Sequence, residues 1–310
     1  MKKNLVIATR GSRLALWQAD AVKRSLRKAH PFLEVTLEVV KTAGDIMQDV
    51  PLAKIGGKGL FVKEIEDALL RGRADLAVHS VKDVPMALPE GLALACVPAR
   101  EDCRDAFLSV RYADVSALPE GARVGTSSLR RQAQLLALRP DLRVVPLRGN
   151  VDTRLRRLNE GVCDAIVLAA AALRRLNLTA PVARFLETER FLPAVGQGAL
   201  GLECRADDRE LAGVLRELED RATRCCVEAE RGLLAGLEGG CQVPVAGHAR
   251  LLDENTLHLE ALVADIDGSR MLRRERSGTA ADPRGLGLRL ADELLENGAR
   301  EILEQLTRGQ

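Results

Sequence analysis

Aromatic side chains are scarce in this chain. Its 310 residues include one Trp, one Tyr and five Phe. Proteins that bind single-stranded nucleic acid stack the bases on aromatic side chains, so we expect no nucleic-acid partner. Long apolar runs are missing as well, since no stretch approaches the roughly 18 residues of a membrane-spanning helix. The first residues lack the apolar region and cleavage site of a secretory signal, and we expect no membrane association.

Cysteine and histidine spacings that would indicate a metal site are also missing. The seven cysteines have no regular spacing, which argues against a disulfide framework and for a reducing compartment. The histidines are scattered, and neither a Cys-x-x-Cys motif nor a His–Glu pairing occurs, so we expect no metal. Cys225 and Cys226 match no metal-ligand spacing, and burial in a core is one alternative for them. The expected location is the cytoplasm.

A β-α-β-α-β pattern of apolar and polar residues occurs twice. In the first copy, strands are predicted at 5–8, 35–39 and 74–79, with helices after Ser12 and at 60–71. The second copy starts about 115 residues later, at 123–125. This repetition predicts an α/β fold with two lobes and mostly parallel sheets. Ligands of such sheets bind beyond the carboxyl ends of the strands, so we expect a cleft between the lobes.

The last part of the chain has a different pattern. Short antiparallel strands are predicted at 245–251, 257–264 and 271–276, with Asp267-Gly268 as a hairpin turn. A final helix is predicted from Pro283 onward. These elements indicate a small α+β domain.

Hydroxyl and guanidinium groups gather at the predicted helix starts. Helix N-termini present unpaired N–H groups and bind anions. The hydroxyls are those of Ser12, Thr126, Ser127 and Ser128, and the arginines nearby are Arg10, Arg130, Arg131, Arg148 and Arg154. Together they suit a ligand with several carboxylates. Taken singly, each arginine could be a solvated surface charge and each hydroxyl only a helix cap.

Two further stretches bear on the cleft. Gly56-Gly57-Lys58-Gly59 lacks the spacing of a phosphate-binding loop, and a mobile lid that brings Lys54 and Lys58 to anions is the better interpretation. Asp83 follows a predicted strand and precedes Val84-Pro85, so its carboxylate should point into the cleft. It could form a salt bridge with Lys82 or a neighbouring arginine, or it could stabilise positive charge in a transition state or move a proton.

Cys241 lies in the stretch Gly239-Gly240-Cys241-Gln242-Val243-Pro244. The glycines and the proline predict a tight loop on which the sulfur can be reached. Taken alone, this cysteine could be a free thiol without a role. A functional thiol is the other interpretation.

Six motifs together give the chain a family resemblance over essentially its whole length. They are Ala8-Thr9-Arg10-Gly11-Ser12, Gly56-Gly57-Lys58-Gly59-Leu60-Phe61, His79-Ser80-Val81-Lys82-Asp83-Val84-Pro85, Gly125-Thr126-Ser127-Ser128, Arg148-Gly149-Asn150 and the Cys241 stretch. In this order they resemble the porphobilinogen deaminase (hydroxymethylbilane synthase) family. The resemblance implies a transferase that condenses four porphobilinogen molecules onto a primer, loses ammonia each time and releases linear hydroxymethylbilane by hydrolysis.

The resemblance also implies roles for individual residues. The primer would be a dipyrromethane cofactor joined to Cys241 by a thioether, and Asp83 would be the catalytic residue. The implied cofactor-binding residues are Lys82, Asp83, Thr126, Ser128, Arg130, Arg131 and Arg148. The implied substrate-binding residues are Arg10, Ser12, Arg148, Arg154 and Arg175, and the implied lid residues are Lys54, Lys58 and Phe61.

The implied architecture has three parts. Two lobes would be similar to type II periplasmic binding proteins, with lobe 1 at 1–98 plus 196–216 and lobe 2 at 99–195. A C-terminal α+β domain at 217–310 would hold a three-stranded antiparallel sheet and Cys241. We expect a monomer. The competing hypothesis is a solute-binding module, which needs neither a reactive thiol nor a carboxylate among cations.

Overall fold

A computed structural model describes residues 3–46, 62–180, 182–238 and 243–308. These residues form two compact units. The first unit comprises 3–46, 62–101 and 198–224, and the second comprises 102–180, 182–197, 225–238 and 243–308. The three-domain division expected from the sequence stays a prediction.

Strands and helices follow one another along the described parts of the chain. The strands are β1 (Asn4–Arg10), β2 (Glu34–Val40), β3 (Leu76–Ser80), β4 (Leu92–Cys96), β5 (Asp105–Ser109), β6 (Arg123–Gly125), β7 (Arg143–Val145), β8 (Ala165–Ala169), β9 (Val182–Leu186), β10 (Leu200–Arg205), β11 (Val245–Leu251), β12 (Thr256–Ala264) and β13 (Met271–Thr279). The α-helices are α1 (Arg13–Ala29), α2 (Ala43–Ile46), α3 (Lys63–Leu70), α4 (Leu129–Leu138), α5 (Val151–Asn159), α6 (Ala170–Leu176), α7 (Arg209–Leu215), α8 (Arg221–Gly236), α9 (Pro283–Leu294) and α10 (Arg300–Arg308). Short 3-10 turns span Val81–Asp83 and Arg216–Leu218, and a π-type turn spans Leu295–Ala299.

The sheet of the first unit has the strand order β2-β1-β3-β10-β4. Strands β1, β2 and β3 run parallel, whereas β10 is antiparallel to both β3 and β4. Its core contains Leu5, Ile7, Leu76 and Leu202, which are almost fully buried. The first predicted copy of the repeat is therefore confirmed, with an antiparallel strand inserted between β3 and β4.

That inserted strand begins later than the sequence indicates. Apolar residues at 195–200 favour a strand there, but β10 starts at Leu200. Gly196 and Gly198 adopt φ angles of 71° and 88°, a left-handed conformation that only glycine takes readily. The backbone therefore turns before it extends.

The second unit contains a sheet of similar design with the order β7-β6-β8-β5-β9. Strand β6 is parallel to β7 and β8, and β5 is antiparallel to β8 and β9. Phe107, Val124, Leu135 and Val167 form part of one core cluster in this unit. The second copy of the repeat is confirmed, and the fold class is α/β as predicted.

The predicted antiparallel hairpins are also confirmed. Strands β11, β12 and β13 form a three-stranded antiparallel sheet. Helices α8 and α9 contribute Leu233, Leu286 and Leu290 to its core, and Cys225 and Cys226 are both buried. The single helix expected from Pro283 is interrupted, because Gly298 adopts a φ of 104°. Among the described residues, no helix is long and apolar enough to cross a membrane.

Candidate active site

A small pocket in the first unit lies at the carboxyl ends of β1 and β3. Arg10, Ser12, Ser80 and Asp83 line it together with His79. Ser12 caps helix α1, as predicted, because its side chain accepts a hydrogen bond from the Ala15 amide at 3.3 Å. The structure thus brings together three of the predicted site residues, Arg10, Ser12 and Asp83.

Hydrogen bonds hold the backbone around Asp83, whereas the Asp83 side chain is exposed to solvent. Gln18 Nε2 donates to Ser80 Oγ at 3.1 Å, and the Val81 amide donates to the Ala199 carbonyl at 3.1 Å. Asp83 ends the 3-10 turn that follows β3 and is exposed. Within the described part of the chain its carboxylate forms no ion pair, so the salt-bridge alternative is not supported there. A carboxylate held this way is available to a ligand.

Three ionisable side chains are buried next to this pocket, and sequence reasoning missed them as a group. Glu66 on α3, His79 on β3 and Glu203 on β10 are each less than a tenth exposed. His79 Nε2 lies 2.9 Å from Glu203 Oε2. This contact does not have hydrogen-bond geometry, because His79 Nε2 and both oxygens of Glu203 have no hydrogen-bond partner among the described residues. Oε1 of Glu66 has none there either. Burial, reinforced by the charge of Glu203, raises the pKa of Glu66 to about 7.

The second unit carries the predicted hydroxyl cluster at the start of α4. Ser128 caps this helix by accepting from the Arg131 amide at 3.4 Å, and its own amide donates to Thr126 Oγ1 at 3.1 Å. Ser127 Oγ is buried and has no hydrogen-bond partner among the described residues. The helix start therefore offers one unsatisfied hydroxyl beside two arginines.

Those two arginines face a carboxylate that the sequence did not single out. Arg130 Nη1 donates to Asp105 Oδ2 at 2.7 Å, and Arg131 donates to Asp105 Oδ1 from Nε at 3.0 Å and from Nη2 at 2.7 Å. All three side chains are buried, and Asp105 is 0% exposed. Burial alone would raise the pKa of Asp105, but the two guanidinium groups outweigh it and hold that pKa well below its ordinary range. No local signal marks Asp105, because its partners follow it by 25 and 26 residues.

The remaining predicted arginines of this unit lie on other elements. Arg148 is half-buried in the loop between β7 and α5. Arg154, on α5, donates from Nε to the Gly149 carbonyl at 2.8 Å. Arg175 is 8% exposed on α6. Lys54, Lys58, Phe61 and Cys241 lie outside the described residues.

Comparison with known proteins identifies the family. The family model "Porphobilinogen deaminase, dipyromethane cofactor binding domain" matches residues 5–213, and "Porphobilinogen deaminase, C-terminal domain" matches residues 224–296. The chain belongs to the porphobilinogen deaminase family. The predicted resemblance is confirmed.

Curated relatives agree over nearly the whole chain. Porphobilinogen deaminase of Nitratidesulfovibrio vulgaris (strain DP4) is 62% identical over 305 residues, which cover 98% of this chain and 97% of the relative. The protein of the same name from Lawsonia intracellularis (strain PHE/MN1-00) is 54% identical over 304 residues, 98% of each chain. As a member of this family the chain is a hydroxymethylbilane synthase, a transferase of porphyrin biosynthesis that polymerises porphobilinogen.

Solved structures with similar folds include two periplasmic binding proteins. An arginine-specific protein of Salmonella typhimurium has a TM-score of 0.40 and 13% identity, and the match covers 72% of this chain and 94% of the Salmonella chain. The aliphatic sulphonate binding protein SsuA of Escherichia coli has a TM-score of 0.42 and 14% identity, and covers 77% of this chain and 71% of its own.

The residues at the start of α4 suit a cofactor that bears carboxylates. The Ser127 hydroxyl is an orphaned buried polar group, and Arg130 and Arg131 outnumber the one buried carboxylate between them. Hydroxyls, helix N–H groups and guanidinium groups are the donors that carboxylates prefer. The donor set at the start of α4 therefore fits a dipyrromethane.

Proposed function

We propose that this chain extends a dipyrromethane primer held by a thioether to Cys241. Four porphobilinogen molecules are added, one ammonia is lost at each addition, and hydrolysis releases the linear hydroxymethylbilane. The observation that carries the proposal is the exposed carboxylate of Asp83, which lines one pocket with Arg10 and Ser12 on a fixed backbone. When bound, the primer supplies the nucleophilic α-carbon of its terminal pyrrole.

Asp83 acts on the substrate in this proposal. The C–N bond of the protonated aminomethyl group of porphobilinogen breaks, ammonia leaves with the electron pair, and the substrate carries the positive charge. A carboxylate beside this charge stabilises it more strongly in a poorly hydrated pocket than in water. The new C–C bond then forms, the ring proton leaves, and ammonia takes it up as ammonium. In this proposal Asp83 holds that proton in transit.

The cationic residues bind the acetate and propionate groups in this proposal. Arg10 and Ser12 hold carboxylates of the incoming porphobilinogen, with Arg148, Arg154 and Arg175 as further substrate-binding residues. Lys82, Thr126, Ser128, Arg130, Arg131 and Arg148 hold the cofactor, and Lys54, Lys58 and Phe61 belong to a lid. Each carboxylate that meets a guanidinium group in a bidentate geometry gains about 1.5–3 kcal/mol.

The intact mass of the purified protein tests the covalent cofactor. We expect a mass excess equal to two pyrrole units, which is lost in Cys241→Ala. Cys225→Ala is the matched control, because that cysteine is buried in the second unit and should keep the excess. Active protein of unmodified mass would contradict the proposal.

We also propose a monomer in the cytoplasm. The lack of metal-ligand spacing and of a regular cysteine framework supports a reducing compartment. Light scattering coupled to size-exclusion chromatography tests the oligomeric state, and a mass of twice 33.6 kDa would contradict it.

A further inference from the structure

The buried cluster of Asp105, Arg130 and Arg131 has unequal charges. Two guanidinium groups meet one carboxylate, and all three residues are at most 6% exposed. The other groups that bind them are neutral: the carbonyls of Leu192 and Val167 accept from the arginines, and Gln197 Nε2 donates to Asp105. The cluster therefore keeps a net positive charge. A buried charge without a counterion is costly, so the cluster favours one more anion.

The two arginines differ in which donors the protein uses. Arg131 commits Nε and Nη2 to Asp105 Oδ1 and Nη1 to the Val167 carbonyl at 3.0 Å. Arg130 uses Nη1 alone, which donates both to Asp105 Oδ2 and to the Leu192 carbonyl. Among the described residues, Nε and Nη2 of Arg130 have no hydrogen-bond partner. The Nε–Nη2 edge is the edge with which a guanidinium group can bind a carboxylate in a bidentate manner.

Asp105 is the residue that creates this difference. Its Oδ1 accepts from Arg131 twice and from Gln197 Nε2 at 3.0 Å, so three donors hold that oxygen. Within the parts of the chain that the structure describes, its Oδ2 accepts only from Arg130 Nη1. Gln197 also donates to the Cys103 carbonyl at 2.8 Å, which fixes the backbone next to Asp105.

We propose that Asp105 is a positioning residue that locks Arg131 into the protein and turns the Nε–Nη2 edge of Arg130 toward a carboxylate of the pyrrole ligand. Arg130 is then the ligand-binding member of the pair, and Arg131 is the structural member. The inference rests on the proposed cofactor site at the start of α4, and it divides between two residues a role that the sequence assigns to both.

Two matched substitutions test this division. In Arg130→Lys the positive charge is kept, but the ammonium group lacks the planar pair of donors with which a guanidinium group binds a carboxylate in a bidentate manner. In Arg131→Lys, a single nitrogen replaces the three guanidinium nitrogens that bind Asp105 and the Val167 carbonyl. The two variants therefore separate ligand binding from internal structure.

Two readouts are needed on full-length protein. The first is thermal unfolding in a Cys241→Ala background, in which no cofactor is attached. The second is the fraction of chains with Cys241 intact that carry the mass of two pyrrole units. We expect Arg131→Lys to lower the unfolding midpoint by about 5 °C or more, and Arg130→Lys to lower it much less. Conversely, we expect Arg130→Lys to lower the fraction of chains that acquire the cofactor by roughly tenfold or more, because loss of one charge-assisted contact weakens binding of the cofactor before the thioether forms.

Failure of this inference can be distinguished from failure of the proposed function. Equal stability losses in both variants, or a larger loss in Arg130→Lys, would overturn the division. If the unsubstituted protein carries no mass excess, the proposed function fails while the unfolding midpoints still test the role of Asp105. Asp105→Asn should lower both the unfolding midpoint and the loaded fraction. Asp102→Asn is the control, because it loses an ion pair with Arg104 on the same segment. It should lower both quantities less than Asp105→Asn does. Normal loading in Asp105→Asn would also contradict the proposal.

Discussion

His79 Nε2 and Glu203 Oε2 lie 2.9 Å apart on neighbouring strands of the first unit. Strand β3 carries His79 and β10 carries Glu203, and both side chains are almost fully buried. Glu66 on α3 adds a second buried carboxylate, whose pKa is raised to about 7 by burial and by Glu203. His79 lines the Asp83 pocket. The charge of the buried cluster behind it depends on pH, because the pKa of Glu66 is about 7.

Glu66→Gln should change the pH dependence of stability. A carboxyl whose pKa rises from 4.5 to about 7 on folding binds more protons in the folded state, so stability falls as pH rises through that window. Glutamine does not ionise. The free energy of unfolding of the variant, relative to that of the unsubstituted protein, should therefore rise by up to about 3 kcal/mol from the acidic to the alkaline side of the window. Urea unfolding at about pH 5 and pH 8 measures the difference.

Asp67→Asn is the matched control for that experiment. Asp67 lies next to Glu66 on the same helix but is only half-buried. Its charge makes the smallest of the contributions to the raised pKa of Glu66, so its loss should change the pH dependence little. A constant stability difference between Glu66→Gln and the unsubstituted protein at all pH values would show that folding does not raise the pKa of Glu66.

Asp83→Asn should keep the cofactor and lose elongation. Asparagine has nearly the same shape but supplies no negative charge to the cationic substrate, so we expect turnover to fall by roughly a hundredfold or more. The intact mass should still show two pyrrole units. Glu90→Gln removes an exposed carboxylate of the same unit and should turn over normally. Near-normal turnover in Asp83→Asn would contradict the catalytic role of Asp83.

Substitutions of Ser12 should separate its capping role from its binding role. Ser12→Ala loses the hydrogen bond to the Ala15 amide and should cost about 1 kcal/mol of stability. Ser12→Asp keeps the cap but places a negative charge in the pocket, so it should raise the KM for porphobilinogen without loss of stability. An unchanged KM in Ser12→Asp would show that no substrate carboxylate lies near this position.

Gly287→Ala should destabilise the packing of α8 against α9. A Cβ at position 287 would overlap the Ala229 carbonyl and the Leu233 amide, and such overpacking costs about 1–3 kcal/mol. Gly213→Ala is the control, because a Cβ there meets nothing within 4 Å and alanine favours the helix by up to about 1 kcal/mol. Chemical denaturation should show changes in the free energy of unfolding of opposite sign for the two variants. Equal effects would contradict the close helix contact.

Several features of the fold could be predicted because they depend on neighbouring residues. The alternation of apolar residues predicts β1, β2 and the hairpins of the third sheet, and Ser12 and Ser128 cap helices where the pattern places them. The antiparallel pairing of β10 with β3 could not be predicted, because it joins segments more than 100 residues apart. Local pattern carries no information on such pairing.

The sequence by itself determined the family, the repeated β-α-β-α-β order and the identity of most candidate site residues, since these follow from short motifs. Only the tertiary structure decided what surrounds those residues. Arg130 and Arg131 look equivalent in the sequence, yet Asp105 occupies the Nε and Nη2 donors of Arg131 and only Nη1 of Arg130. Glu66 looks like one acidic residue of an amphipathic helix, yet Glu203 and burial raise its pKa. Burial and charge pairing arise from contacts between distant segments, and these contacts exist only after the chain has folded.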